Sequence, residues 1–377
     1  MPPLILECAR AHPDPGELRR LSGFCSDWEG LVESALKHRV APLVFWALNR
    51  TCPDAVPPEA MAALRNRFQQ NIKQNLLYTK ELLRLLDLFG MAGIQAIPFK
   101  GPALAWSLYE TPGLRLMGDL DLLLQERDAP RAIELLRADG YERWIQSGDL
   151  RFFAISGQIP LVRTDGRVAV DLHWRLGFSR LDFSFFRDRL QPVDVAGRQV
   201  SAFCPEDLLV YLCVHGGKHG WFSLMWICDV ARLIDGFPLD WNTVLSRAEE
   251  GHMSRALWLG IHLARELLGA RVPDEVRKRM EADPLTGSLA SRVHATLPGD
   301  RTMTTIQRMW FQCRLLENTA DRLRFLGDGL QPSPSDWEAL RIPVSLFPVY
   351  YIARPIRLAW KWCVLPLFGR NRHSEFL

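Results

Sequence analysis

The chain has 377 residues, 48% of them hydrophobic, and its 46 basic and 43 acidic side chains give a formal net charge of +3. This composition predicts an ordinary globular protein with a sizeable core, and so small a net charge argues against a long nucleic acid as partner. The eight cysteines show no CxxC or zinc spacing, the N-terminus lacks a signal-peptide pattern, and no run reaches the roughly 18 apolar residues of a membrane span. We therefore expect reduced cysteines, no transmembrane helix and a cytoplasmic location.

Helical patterns fill the first 90 residues. Apolar residues recur at helical spacing over residues 27–50, where Pro42 predicts a break between two short helices. A longer pattern over residues 59–89 predicts one helix with a wide apolar face, which Gly90 ends. These patterns predict an N-terminal helical region over residues 1–90.

Strand-like and helical segments alternate between residues 91 and 204. Three short strands and two helices are predicted there, the strands over residues 94–99, 119–124 and 168–174 and the helices over 102–109 and 129–138. Asp128 is the predicted N-cap of the second helix, and Gly140 ends it. We interpret this segment as a small α/β domain with a mixed sheet.

Helical periodicity returns after Pro205. Six helices are predicted, over residues 206–215, 224–233, 241–249, 254–268, 275–281 and 304–326. They form a C-terminal helical domain over residues 205–330, so the predicted fold class is α+β. Residues 331–377 form a basic, aromatic tail, whose segment 342–368 fits either peripheral contact with an anionic membrane surface, docking on a partner, or packing on the helical domain.

Two aspartates alternate in the predicted strand GDLDLLL. Alternate residues of a strand project to one side, so Asp119 and Asp121 share a face, and in the strand VAVDLHW Asp171 shares a face with His173. If the two strands are neighbours, three carboxylates meet. Such hard oxygen ligands suit Mg²⁺ or Mn²⁺, and two such ions stabilise the attacking and leaving oxygens of a nucleotidyl displacement. We therefore predict Asp119, Asp121 and Asp171 as metal ligands and catalytic residues.

Residues upstream of these aspartates suit phosphate binding. Lys100 and Gly101 lie at a predicted strand-to-helix junction, where glycine allows close approach of the backbone and the helix N-terminus offers free N–H groups. Arg115 adds a predicted charge-assisted contact to the same phosphates. Gly118 and His173 complete the predicted nucleotide-binding set.

These segments resemble the uncharacterised bacterial nucleotidyltransferase family of the DNA polymerase beta-like superfamily. The resemblance rests on the runs FKGPALAWSLYETPGLRLMGDLDLLL, RAIELLRADGY and VDLHWRL, and extends to PEDLLVYLCVHGGKHGW, WICDVARLI and LDWNTVLSRA. It implies that Asp119 and Asp121 bind the metals and that Asp171 is the third carboxylate, which helps to deprotonate an acceptor hydroxyl. Gly101 takes the glycine position of the family's phosphate-binding turn. Pro102 departs from the pattern, because the superfamily often has serine there.

The predicted reaction is metal-dependent transfer of a nucleoside monophosphate from a nucleoside triphosphate, ATP first among them, to a hydroxyl acceptor. The acceptor is a small molecule, a peptide or a protein that the sequence does not identify. The alternative is a binding module that holds a nucleotide, a peptide or a partner protein without turnover, and Pro102 is its best support in the sequence.

His215 and His219 are spaced like ligands of a soft metal. The glycines of HGGKHG argue against a regular helix there, and no third ligand is apparent. We instead expect Lys218 and the two histidines to line the edge of the catalytic cleft, with Asp229 paired to one of them.

Overall fold

The computed structural model describes residues 1–143, 157–177, 181–297 and 303–360. Five helices come first: α1 (Pro3–Ala9), α2 (Pro15–Gly23), α3 (Trp28–Lys37), α4 (Ala41–Thr51) and the long α5 (Pro58–Met91). The side chains of Asp14 and Asp27 accept hydrogen bonds from the first turns of α2 and α3, which caps those helices. The break between the two helices was predicted at the wrong residue. It occurs at Arg39, which has φ 62°, whereas Pro42 lies in the first turn of α4, where its missing N–H is not needed.

A five-stranded mixed sheet forms the centre of the chain. Its strands are β1 (Ile97–Pro98), β2 (Leu120–Leu123), β3 (Tyr141–Arg143), β4 (Gln158–Arg163) and β5 (Ala169–His173), arranged in the order β1-β2-β5-β4-β3. Strands β2 and β5 are parallel, and the other pairs are antiparallel. Helix α6 (Gly101–Leu108) lies between β1 and β2 in the chain, and α7 (Ala129–Ala138) follows β2. The predicted mixed sheet is confirmed.

Two small hairpins join the sheet to the C-terminal helices. The first consists of β6 (Arg175–Leu176) and β7 (Leu181–Asp182), followed by the short α8 (Phe183–Phe186); the second consists of β8 (Gln191–Val195) and β9 (Arg198–Ala202). Ala196 and Gly197 between β8 and β9 both have positive φ, as a tight hairpin turn requires. Neither hairpin was predicted from the sequence.

The remaining described residues are helical. The helices are α9 (Pro205–Lys218), α10 (Leu224–Gly236), α11 (Trp241–Glu250), α12 (Ser254–Leu268), α13 (Asp274–Ala282), α14 (Thr286–Thr296), α15 (Thr305–Leu315), α16 (Thr319–Leu330), α17 (Pro334–Leu340) and α18 (Val349–Ala359). The single helix predicted over residues 304–326 is in fact two, because Asn318 caps α16 through the N–H of Asp321. No helix among the described ranges has the length and apolar character to cross a membrane. Residues 361–377 of the predicted tail lie outside the described residues.

Helix α9 runs through the glycines of HGGKHG, so the prediction against a regular helix there is wrong. Its physical reason is packing: a Cβ at Gly216 would lie 2.5 Å from the ring of Trp221, and one at Gly217 would lie 2.8 Å from Leu315. Glycine is needed at these positions for close contact between elements, and the helix tolerates it at a modest cost.

Two large hydrophobic cores hold most of these elements, and a small third cluster around Phe347 and Tyr350 lies near the end of the described chain. One large core packs the N-terminal helices and α6 against the C-terminal helices; the other lies between α5, α7 and the sheet. Leu120 and Leu122 of β2 and Val170 and Leu172 of β5 belong to the second core. The residues that alternate with them therefore face the opposite side of the sheet. The proposed regional limits at residues 90, 204 and 330 stay predictions.

Candidate active site

The parallel register of β2 and β5 brings the predicted acidic residues together. Asp121 is paired with Asp171, and Leu123 with His173. One ligand atom each from Asp121, Asp171 and His173 lies within 4.8 Å of the others. Asp119 stands one residue before β2 and is not in this group of three. The charge of Asp121 is nevertheless the main reason why the pKa of Asp119 is raised, so the two carboxylates are close.

The negative charge of this cluster is only partly compensated. Lys100 Nζ lies 2.8 Å and His173 Nε2 3.2 Å from the same oxygen of Asp121. Burial opposes ionisation of Asp121, but these two neighbours hold its pKa below the usual range. Burial, together with the charges of Asp121 and Asp119, raises the pKa of Asp171 to about 7. Burial lowers the pKa of His173, so its imidazole is neutral and able to act as a ligand.

The junction before α6 holds Lys100 in place. Gly101 has φ 57°, and a Cβ there would lie 3.2 Å from the carbonyl oxygen of Asp119. Only glycine accepts this conformation and this approach without strain. Lys100, in the extended N-cap position, then reaches Asp121. Pro102 in the first turn removes one of the free N–H groups of the helix N-terminus.

Three side chains of α5 fix the loop that leads into the acidic strand. Asn71 Nδ2 donates to the carbonyls of Gly113 and Arg115, at 2.7 and 3.0 Å, and Asn75 Nδ2 donates to the same Arg115 carbonyl at 2.9 Å. Tyr78 Oη donates to the carbonyl of Gly118 at 2.8 Å and accepts from the N–H of Ala169 at 3.3 Å. These residues were missed from the sequence, because polar positions in a helix pattern ordinarily read as solvent-exposed.

Arg115 is turned away from the carboxylate cluster toward α10. Its Nε and Nη2 lie 2.9 and 3.0 Å from the carboxylate of Asp229, and Tyr109 Oη donates to the same carboxylate at 2.6 Å. All three side chains are buried. The prediction that Asp229 pairs with a histidine is wrong, because this buried guanidinium takes up the carboxylate. Gly118, in contrast, lies directly before Asp119 with open space at its Cα.

Helix α9 presents a polar side to the carboxylate cluster. Tyr211, His215 and Lys218 recur at spacings of four and three residues, and the ring centroids of His215 and His219 are 4.7 Å apart. Burial and the charge of Lys100 lower the pKa of Lys218, whereas the carboxylates of Asp171 and Asp121 raise it. The net effect is a lowered pKa of Lys218, and its position at the edge of the cleft stays a prediction. Within the described chain, His215 and His219 belong to no group of three metal-ligating residues.

The donor set fits a hard divalent cation. Carboxylate oxygens are the protein ligands that Mg²⁺ and Mn²⁺ prefer, whereas imidazole is more typical of softer transition metals, so the carboxylates carry this assignment. The charge of Asp121 raises the pKa of Asp119, and burial followed by the charges of Asp121 and Asp119 raises that of Asp171, although Lys100 acts in the opposite direction on both. A bound cation would cancel the repulsion among the carboxylates, and would compete with Lys100 for Asp121.

A glycine turn, a helix N-terminus and carboxylates on two adjacent parallel strands are the features of a nucleotidyltransferase centre. Residues 25–269 match the model of a protein family described as "Uncharacterised nucleotidyltransferase", and the chain belongs to this family. The suspected family is thereby confirmed. Comparisons with curated proteins and with solved structures gave no match.

Proposed function

We propose that the protein transfers a nucleoside monophosphate from a nucleoside triphosphate to a hydroxyl acceptor in a reaction that depends on Mg²⁺ or Mn²⁺. The observation that carries this proposal is the alignment of Asp121 with Asp171 on adjacent parallel strands, beside Asp119 and His173. The order of glycine turn, helix, acidic strand and second acidic strand supports a DNA polymerase beta-like arrangement. ATP with Mg²⁺ is the first pair to test.

In this proposal Asp119, Asp121 and Asp171 hold the metal, with His173 as a further ligand. When bound, the metal offsets the negative charge of the phosphates and of the oxygens that attack and leave. Lys100 and the free N–H groups of the first turn of α6 bind the triphosphate, and Lys218 of α9 adds a second cation on the opposite side.

The acceptor oxygen attacks the α-phosphorus, the new O–P bond forms, and the bond to the β-phosphate oxygen breaks so that pyrophosphate leaves. The acceptor proton passes to the carboxylate of Asp171, which lies opposite Asp121 on the neighbouring strand. Arg115 acts through the loop: its pair with Asp229 holds residues 112–118 in place, and we assign it to positioning rather than to phosphate binding.

The alternative is a module that binds a nucleotide or a partner without turnover. Two observations favour it: Pro102 removes an N–H from the phosphate-binding turn, and Lys100 is already engaged with Asp121. Measurement of pyrophosphate release distinguishes the transferase from the binding module, because the module would bind the nucleotide and release no pyrophosphate.

Calorimetric titration of each nucleoside triphosphate with Mg²⁺ or Mn²⁺ tests the proposal. We expect metal-dependent binding to the parent and none to the Asp119→Asn/Asp121→Asn variant. Asp188→Asn, which changes a carboxylate that is 79% exposed, is the matched control and should bind like the parent. Equal binding by the parent and the double variant would refute the proposed site.

A further inference from the structure

A polar groove of about 690 Å³ opens beside the carboxylate cluster. It is lined by α5, by the start of β2 and by the turn between β4 and β5; the lining residues are Gln70, Lys73, Gln74, Leu77, Tyr78, Gly118, Val162, Gly166, Arg167 and Ala169. Gly118 directly precedes Asp119, and Tyr78 bridges the starts of β2 and β5. The groove therefore lies at the start of the two acidic strands, next to Asp119 along the chain, and its lining residues do not include the carboxylates themselves.

The charge of the groove is one-sided. Among the described residues that line it, Lys73 and Arg167 are cationic and none is acidic. Both are exposed, and neither forms an ion pair within the described part of the chain. Unmatched cations and amide donors around one groove suit an oxyanion.

The position of the groove suits the acceptor rather than the triphosphate. Gly101 and Lys100 follow β1, and the sheet order places β1 and β5 on opposite sides of β2. A triphosphate at the start of α6 therefore lies across the carboxylates from the groove. In-line displacement requires the attacking oxygen and the leaving group on opposite sides of the α-phosphorus.

We propose that the acceptor is a small hydroxyl compound that carries a phosphate group, and that this group binds in the groove between Lys73 and Arg167. The inference rests on the proposed function and deepens it by naming the acceptor class. A groove of this volume holds a small molecule, and the balanced charge of the whole chain argues against a nucleic acid.

Protection of arginine from phenylglyoxal tests this site without requiring turnover. The modification rate of Arg167 is followed by peptide mass spectrometry in chloride, inorganic phosphate, glycerol 3-phosphate or glycerol at equal ionic strength. We expect both phosphates to slow modification about fivefold at four times the dissociation constant, and glycerol to have no effect. Arg127, with a side chain 79% exposed, is the internal control and should react at one rate throughout.

Charge reversal identifies the contact. Lys73→Glu should abolish the protection, whereas Lys80→Glu, an exposed position two turns further along α5, should leave it unchanged. Equal modification of Arg167 in chloride and in phosphate would overturn the inference. Protection by a short single-stranded RNA but not by glycerol 3-phosphate would also overturn it, in favour of a nucleic acid end.

The two proposals fail in different ways. The protection assay is repeated on the Asp119→Asn/Asp121→Asn variant, in which the groove should still bind phosphate. Nucleotide binding without protection of Arg167 would remove only the acceptor inference. Protection without nucleotide binding would remove the proposed reaction and leave the groove as an anion site.

Discussion

The Arg115–Asp229 pair is buried, the cluster around Asp121 is partly buried, and their charges are balanced differently. The guanidinium of Arg115 meets one carboxylate, which Tyr109 also contacts, so each charge has a partner. In the second cluster three aspartates share Lys100. The charge of Asp121 raises the pKa of Asp119, and burial together with the neighbouring carboxylates raises the pKa of Asp171. A chain that only needed stability would have no reason to keep those carboxylates together. We call Arg115, Asp229 and Tyr109 the paired cluster, which supports the structure. Asp119, Asp121 and Asp171 with Lys100 form the unpaired cluster, in which acidic charge is in excess and which is the candidate for chemistry.

Removal of Asp229 should have the largest effect on stability. Asp229→Ala leaves the Arg115 guanidinium buried without a carboxylate, and we expect the free energy of unfolding to fall by about 3–5 kcal/mol. Urea unfolding followed by circular dichroism measures it. Glu110→Ala, which removes an exposed partner of Arg50, is the control and should hardly move the midpoint. A loss no larger than that of the control would contradict the structural role assigned to this pair.

The turn that supplies Lys100 to the unpaired cluster should be next in sensitivity. Gly101→Ala forces a side chain into positive φ against the Asp119 carbonyl, and we expect a loss of about 1–2 kcal/mol. Calorimetry should also show weaker binding of Mg²⁺ with nucleotide, because Lys100 is displaced. Gly90→Ala in α5, where a Cβ meets no atom within 4 Å, should not destabilise the protein. Unchanged stability of Gly101→Ala would show that the turn is not under this constraint.

Glu81 provides a second paired cluster with a pH signature. Its carboxylate accepts hydrogen bonds from Arg84 at 2.6 Å and from Tyr141 at 2.5 Å. Burial opposes ionisation, but these bonds lower the pKa of Glu81. A lowered folded-state pKa contributes stability above the unfolded pKa, and this stability is lost as the pH falls through the folded value.

We therefore expect Glu81→Gln to cost about 1 kcal/mol at pH 7, and the difference from the parent to shrink below a pH of about 4. Unfolding midpoints measured across this range provide the check. A difference that does not depend on pH would mean that lost packing, not the charge, explains the effect.

The unpaired cluster should respond in the opposite direction. Asp171→Asn removes a repelling charge, so without metal we expect the free energy of unfolding to stay the same or to rise by up to about 1 kcal/mol. The rise in melting temperature that Mg²⁺ gives the parent should disappear in this variant. A clear loss of stability in the absence of metal would show that Asp171 is a structural residue.

Sequence patterns predicted the carboxylates better than their supports. Strand alternation predicted that Asp119 and Asp121 share a face of their strand and that Asp171 and His173 share a face of theirs. The parallel register of β2 and β5 pairs Asp121 with Asp171. That register was assumed, because pairing between strands about 50 residues apart has no local signal. The Arg115–Asp229 pair joins residues 114 positions apart, so the sequence alone suggested that Arg115 contacts phosphate. Helix limits were predicted closely where capping residues and glycines follow the usual pattern. Gly216 was wrongly taken as a sign against a helix, because glycine is needed there for close packing of the Trp221 ring.

Tyr78 has a further consequence for the geometry of the centre. One phenol oxygen joins the carbonyl of Gly118 to the N–H of Ala169, where the two acidic strands begin. At the start of β2 and β5, the side chain of Tyr78 links the two strands; from Leu120 and Val170 onward, the strands pair directly through their backbones. Tyr78 therefore ties the starts of the two acidic strands to a single position of α5. A substitution at residue 78 would remove this link and leave the sequence of both strands unchanged.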